Sequence, residues 1–128
     1  MILLLDAHIL IWLSSQSERL SPKARDMLSD PENRYLFSTV RLWELAIKKG
    51  LDQASFHVDP RVLRRGLLAN YFEELPVLGN HALAVEDLPL LNKDPFDRLL
   101  IAQARTEGAL LVTADAKMAE YGSPVRFV

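Results

Sequence analysis

The sequence contains no cysteine. That excludes disulfides, thiolate nucleophiles and Cys-ligated zinc or iron–sulfur sites, so any metal must be held by oxygen or histidine. A reducing compartment fits this composition. No apolar stretch is long enough to span a bilayer. The apolar start from Met1 to Leu13 lacks a basic leader and is interrupted by Asp6 and His8, unlike a signal peptide, so a cytoplasmic location is expected. Internal repeats and low-complexity segments are missing as well. So are the Walker A, GxGxxG and Ser/His/Asp patterns that would propose nucleotide hydrolysis, hydride transfer or acyl transfer. A large positive charge is also lacking: 15 Lys and Arg against 17 Asp and Glu leave a net charge of −2. This is not the footprint of a protein that grips nucleic acid with a broad basic face. Acids gathered in one pocket and neutralised there by bound cations would make that formal charge overstate the negative surface met by a phosphate chain. Basic residues are available at Arg41, Lys48, Lys49, Arg61, Arg64 and Arg65.

What is present is 128 residues, 49% of them hydrophobic, enough for one core and a single domain over residues 1–128. Ile2 to Leu5 is a continuous apolar run, the pattern of a strand buried on both faces. His8 to Ser14 reads as a helix, and Ser21 with Pro22 opens another to about Ser29. Tyr35 to Phe37 has strand propensity, and Ser38 can cap a helix from Thr39 to Lys49 that Gly50 terminates. Asp59 and Pro60 open a helix through about Asn70, followed by a weak strand near Glu74 to Leu78 and a short helix around His81 to Asp87. Asp94 and Pro95 start a helix to Glu107 that Gly108 stops. Leu110 to Thr113 is a second buried-type strand, Asp115 opens a short helix to about Tyr121, and Val125 to Val128 is a last strand. Strand and helix alternate, which predicts an α/β fold with a central, mainly parallel β-sheet flanked by helices.

In open parallel sheets, ligands bind beyond the carboxyl ends of the strands, and Asp6 and Asp115 each sit at such an end. For either alone, a helix N-cap is the simpler explanation. Glu44 is more informative, because Val40, Trp43 and Ile47 form an apolar stripe and Glu44 lies at its edge, facing inward. It either reaches solvent, pairs with Lys48 at i+4, or has a buried partner. Asp97 lies in a first helical turn, where the helix dipole favours an anion, on a row continued by Ile101 and Ala104. Asp94 is best explained as the N-cap of that helix. Thr113 could orient a carboxylate or satisfy its own backbone. Four carboxylates at adjoining strand ends and first helical turns could not share a site as bare anions, because like charges raise one another's pKa until some protonate. Divalent cations resolve that conflict, and all-oxygen ligands select Mg²⁺ or Mn²⁺. Such ions suit phosphodiester hydrolysis.

The segments LLLDAHILIWL, STVRLWELAIKKG, KDPFDRLLIAQA and LLVTADAKM, spread over nearly the whole chain, resemble the PIN-domain ribonucleases, specifically the VapC-like toxins of bacterial toxin–antitoxin modules. The resemblance implies a PIN-like fold, with Asp6, Glu44, Asp97 and Asp115 as catalytic acids and metal ligands and Ser38, Asp94 and Thr113 in supporting positions. It implies cleavage of RNA, often tRNA or ribosomal RNA, and a homodimer. It also implies an antitoxin whose segment covers the acidic pocket, frequently with an arginine reaching toward the carboxylates. Where the family commonly has Asp-Thr-His, this chain has Asp6-Ala7-His8, so a hydroxyl near the first acid is missing.

The other residues point less sharply. His8 beside a strand end is more often a packing residue than a ligand, and His57 and His81 carry no metal spacing. Core packing is favoured over base stacking for Trp12 and Trp43. Arg61, Arg64 and Arg65 could meet RNA phosphates or an antitoxin, or form a solvated helix face. A catalytically silent PIN-fold module that binds RNA or protein is the alternative reading. A receiver-like phosphoacceptor would need an acidic pair after the first strand and a lysine after the last, whereas this chain offers Asp6 alone and no clear lysine.

Overall fold

The computed structural model describes residues 1–51 and 58–128, so His57 lies outside the described residues. Five strands form one sheet: β1 (Ile2–Leu5), β2 (Arg34–Ser38), β3 (Glu73–Leu75), β4 (Leu110–Thr113) and β5 (Val125–Phe127). Their order is β3-β2-β1-β4-β5, and each neighbouring pair is parallel. The helices are α1 (Ala7–Ser15), α2 (Pro22–Leu28), α3 (Thr39–Gly50), α4 (Pro60–Ala69), α5 (Gly79–Ala84), α6 (Pro95–Glu107) and α7 (Ala116–Ala119). The α/β reading from the sequence therefore holds, with every strand pairing parallel rather than most.

The apolar run of β1 becomes a central strand because its two faces feed two cores. Leu3 and Leu5 pack with Ile9, Leu10, Phe37, Leu63 and Leu67 on one side, and Leu4 packs with Leu36, Leu100, Ile101 and Leu111 on the other. That alternation is the period of two of a pleated strand. Each such leucine, fully removed from water, contributes on the order of 1.5–3 kcal/mol. No described helix is long and apolar enough to cross a membrane.

Several boundaries differ from the sequence reading, most by a residue or two. Gly50 does not terminate its helix from outside but is its last residue, and the end is made by the Leu51 N–H donating to the Ile47 carbonyl. β3 stops at Leu75, short of the predicted Leu78, since Pro76 has no N–H to donate to a sheet ladder. The helix expected around His81 to Asp87 begins earlier, at Gly79, and changes to a 3-10 turn over Val85–Asp87.

Candidate active site

Because β1 and β4 are neighbours, paired from Leu3 with Leu110 to Leu5 with Val112, the chain leaves both strands side by side. Asp6 follows one and Asp115 stands just beyond the other. Helix α3 brings Glu44, and the first turn of α6 brings Asp97. One cavity of about 170 Å³ is lined by all four of these acids together with Asp94, His8, Arg41 and Lys48.

The simpler explanation of the aspartates is true at the same time. Asp6 accepts from the Ala7 N–H, Asp94 from those of Phe96 and Asp97, and Asp115 from that of Lys117, each capping a helix. Capping fixes the carboxylate's direction without turning it from the cavity: at Asp6 the oxygen that accepts from the Ala7 N–H, Oδ1, is also the one that meets Arg41. Thr113, fully buried, does both things the sequence left open: its hydroxyl donates to Asp6 Oδ2 at 2.7 Å and accepts from the Asp115 N–H at 3.0 Å. Asp97 Oδ2 accepts from the Asn92 side chain at 3.0 Å. Ser38 is buried too, but it caps α3 and donates to Gln103 rather than lining the cavity.

Between the acids stands Arg41, only 3% exposed. Its Nη2 lies 2.7 Å from Asp6 Oδ1 and 2.9 Å from Asp97 Oδ1, while its Nη1 lies 2.7 Å from Glu44 Oε1. Lys48 Nζ approaches the other Glu44 oxygen at 3.4 Å. Burial works against the Arg41 charge, but Asp6, Glu44 and Asp97 outweigh it and hold the guanidinium protonated above its ordinary range. For Asp97 the balance goes the other way. Its burial pushes the pKa above the usual carboxylate value although Arg41 pulls it down. The Arg41 Nε is buried without a hydrogen-bond partner among the described residues.

This arrangement corrects the reading of α3. Its buried residues are Val40, Arg41 and Leu45, whereas Trp43 is 59% exposed and Ile47 is exposed as well. Trp43 is thus not a core residue; its ring meets Phe96 edge-on at 5.1 Å on the surface. Ion pairing of Arg41 with three carboxylates turns the helix away from its most apolar stripe. Glu44 does face inward, and its partners are Arg41, three residues before it, and Lys48, four after. Arg41, which the sequence offered only as an available basic residue, is the one whose place in the site was missed, and its spacing from Glu44 was the available signal.

The remaining candidates sit apart. Trp12 packs against the core and under the Arg19 guanidinium. His81 is buried, its Nδ1 accepting from the Leu78 N–H and its Nε2 meeting Glu107 at 2.8 Å. Arg61, Arg64 and Arg65 are exposed on α4, with Arg64 held by Glu74.

Among the described residues, no three Asp, Glu or His side chains stand as a ready metal cage. The donors nevertheless fit a hard cation. The inner oxygens of Asp6 and Asp97 converge on one point, the place of Arg41 Nη2, and a positive charge already sits there.

The family model that matches is that of the PIN domain, over residues 3–124. The chain belongs to the PIN domain family. No curated protein matches it. Solved structures that share the fold of this PIN domain include the following three. VapBC2 from Rickettsia felis, bound to a DNA fragment from its promoter, has a TM-score of 0.70 at 18% identity, covering 100% of this chain and 98% of that one. VapBC-1 from nontypeable Haemophilus influenzae has a TM-score of 0.63 at 20% identity, covering 100% and 97%. A toxin–antitoxin complex from Klebsiella pneumoniae has a TM-score of 0.61 at 21% identity, covering 96% and 94%.

Proposed function

We propose that this PIN domain is a VapC-like toxin, a metal-dependent endoribonuclease that hydrolyses RNA phosphodiester bonds with Mg²⁺ or Mn²⁺ held by Asp6, Glu44, Asp97 and Asp115. The observation that carries the reading is the single cavity lined by those four acids. Bound divalent cations would supply the positive charge that activates a water and stabilises the phosphate during displacement. The chain's own residues do the positioning. Thr113 and the Ala7 N–H fix Asp6, Asn92 fixes the outer oxygen of Asp97, and the Asp94 cap fixes the first turn of α6. Fixed acids keep their geometry while charge moves in the reaction, which is where such a site gains its rate.

The toxin reading draws on the likeness to toxin–antitoxin complexes. It implies a cognate antitoxin as partner, RNA such as tRNA or ribosomal RNA as substrate, a homodimer and a cytoplasmic place of action. A second reading, a catalytically silent PIN module, is favoured by one observation: Arg41 already occupies the point between Asp6, Glu44 and Asp97 and pairs with all three. The test is RNA cleavage by the antitoxin-free protein beside Asp6→Asn and Asp97→Asn, with and without EDTA. Each substitution is expected to lower cleavage by at least about a hundredfold, as does chelation. Cleavage that ignores both would sink the nuclease reading; metal binding without cleavage of any RNA pool would favour the silent module.

A further inference from the structure

The Arg41 guanidinium occupies the point on which the inner oxygens of the acids converge. Asp6 Oδ2 is held by Thr113 and Asp97 Oδ2 by Asn92, so each acid turns its other oxygen to Nη2, at 2.7 and 2.9 Å. A divalent cation shared by those two oxygens would sit where Nη2 is, and two positive centres cannot occupy such a space in a buried pocket. Removing the arginine with nothing in its place would leave three carboxylates facing one another, which is costly in the other direction. Either occupant, a guanidinium of charge +1 or a divalent ion of +2, offsets part of the negative charge of the three carboxylates, and neither can be lost without the other taking its place. The unpartnered Nε lowers the penalty for departure, because a buried N–H without an acceptor gains hydration when it leaves.

We propose that Arg41 is the resident cation of this site, holding Asp6, Glu44 and Asp97 together in the metal-free protein, and that a divalent ion binds there only as the guanidinium withdraws. The inference rests on the metal-site reading above. Metal loading is then an exchange of one cation for another, and the measured affinity is the intrinsic affinity reduced by the fraction of molecules in which Arg41 has left. If Arg41 is in place in nine molecules out of ten or more, its removal strengthens metal binding about tenfold or more.

The experiment titrates the full chain with MnCl₂ and MgCl₂ by calorimetry, comparing the parent with Arg41→Met and Arg41→Lys, and follows the Arg41 Nε resonance of the parent by NMR. Arg41→Met is expected to bind Mn²⁺ about tenfold more tightly or better. It should also melt below the parent in EDTA and gain more than the parent when Mn²⁺ is added. Arg41→Lys, which keeps a charge but cannot fork across three acids, is expected to fall between them and serves if the methionine variant does not fold. In the parent, the Nε resonance should shift as metal saturates. Equal affinities in parent and folded variants, or an Nε signal unmoved at saturating metal, would overturn the exchange. So would an absence of metal binding in all three proteins. The Asp6→Asn and Asp97→Asn cleavage assays separate the two readings: acids needed for cleavage with Arg41 unmoved defeat the exchange alone, and acids dispensable for cleavage with Arg41 displaced defeat the nuclease alone.

Discussion

Asp97 stands under two opposed influences, burial that favours its neutral form and Arg41 that favours its charge, and burial prevails. Its folded pKa therefore lies above the ordinary value. The stabilisation it contributes is fully present below the unfolded pKa and is lost as pH rises through the folded one. In EDTA, the stability of the parent minus that of Asp97→Asn is expected to fall as pH rises through and above the ordinary carboxylate range, as followed by urea denaturation. A difference that grows with pH would mean that Arg41 outweighs burial. At this scale the acids were legible in the sequence because each is tied to a local signal: a strand end for Asp6 and Asp115, a first helical turn for Asp97, and the edge of an apolar helical stripe for Glu44. The partner of Glu44 was not, since an inward arginine among apolar neighbours contradicts the pattern by which helix faces are read.

Helix α6 shows what local chemistry can do for a site. Asp94 accepts from the N–H groups of Phe96 and Asp97, Pro95 occupies the first turn, and Gly108, with φ of +66°, closes the other end. Asp94→Ala is expected to cost about 1 kcal/mol, within about 0.5–2, in chemical denaturation. An unchanged midpoint would show that the cap is replaced by solvent. These caps are why the bounds of α6 could be read from the sequence. On α3 the cap Ser38 was equally legible, but the inward face was not. Trp43 and Ile47 carry the larger apolar areas, yet the helix buries Arg41, which only its three ionic partners make tolerable. At β3 and α5 the local signals are weak, and their bounds were set by packing and by Pro76.

For the whole molecule, the strand order does most to create the site. Placing β1 between β2 and β4 brings Asp6 beside Asp115 and puts α3 and α6 above the same end of the sheet. Leu4, fully buried at the centre of that sheet, holds β1 to α6 through the core it shares with Leu100 and Ile101. Leu4→Ala is expected to destabilise the protein by about 2–5 kcal/mol in urea denaturation, with the cost rising with the cavity left behind. A loss well below that range would mean that the second core collapses around the gap. By itself the sequence determined the alternation of strands and helices and the capping residues, and it marked the four acids as candidates, because those signals depend on chemistry within a few residues. Only the tertiary structure decided what lies between the acids. Arg41 and Asp97 are 56 residues apart in the chain, and no local pattern records a contact made at that distance.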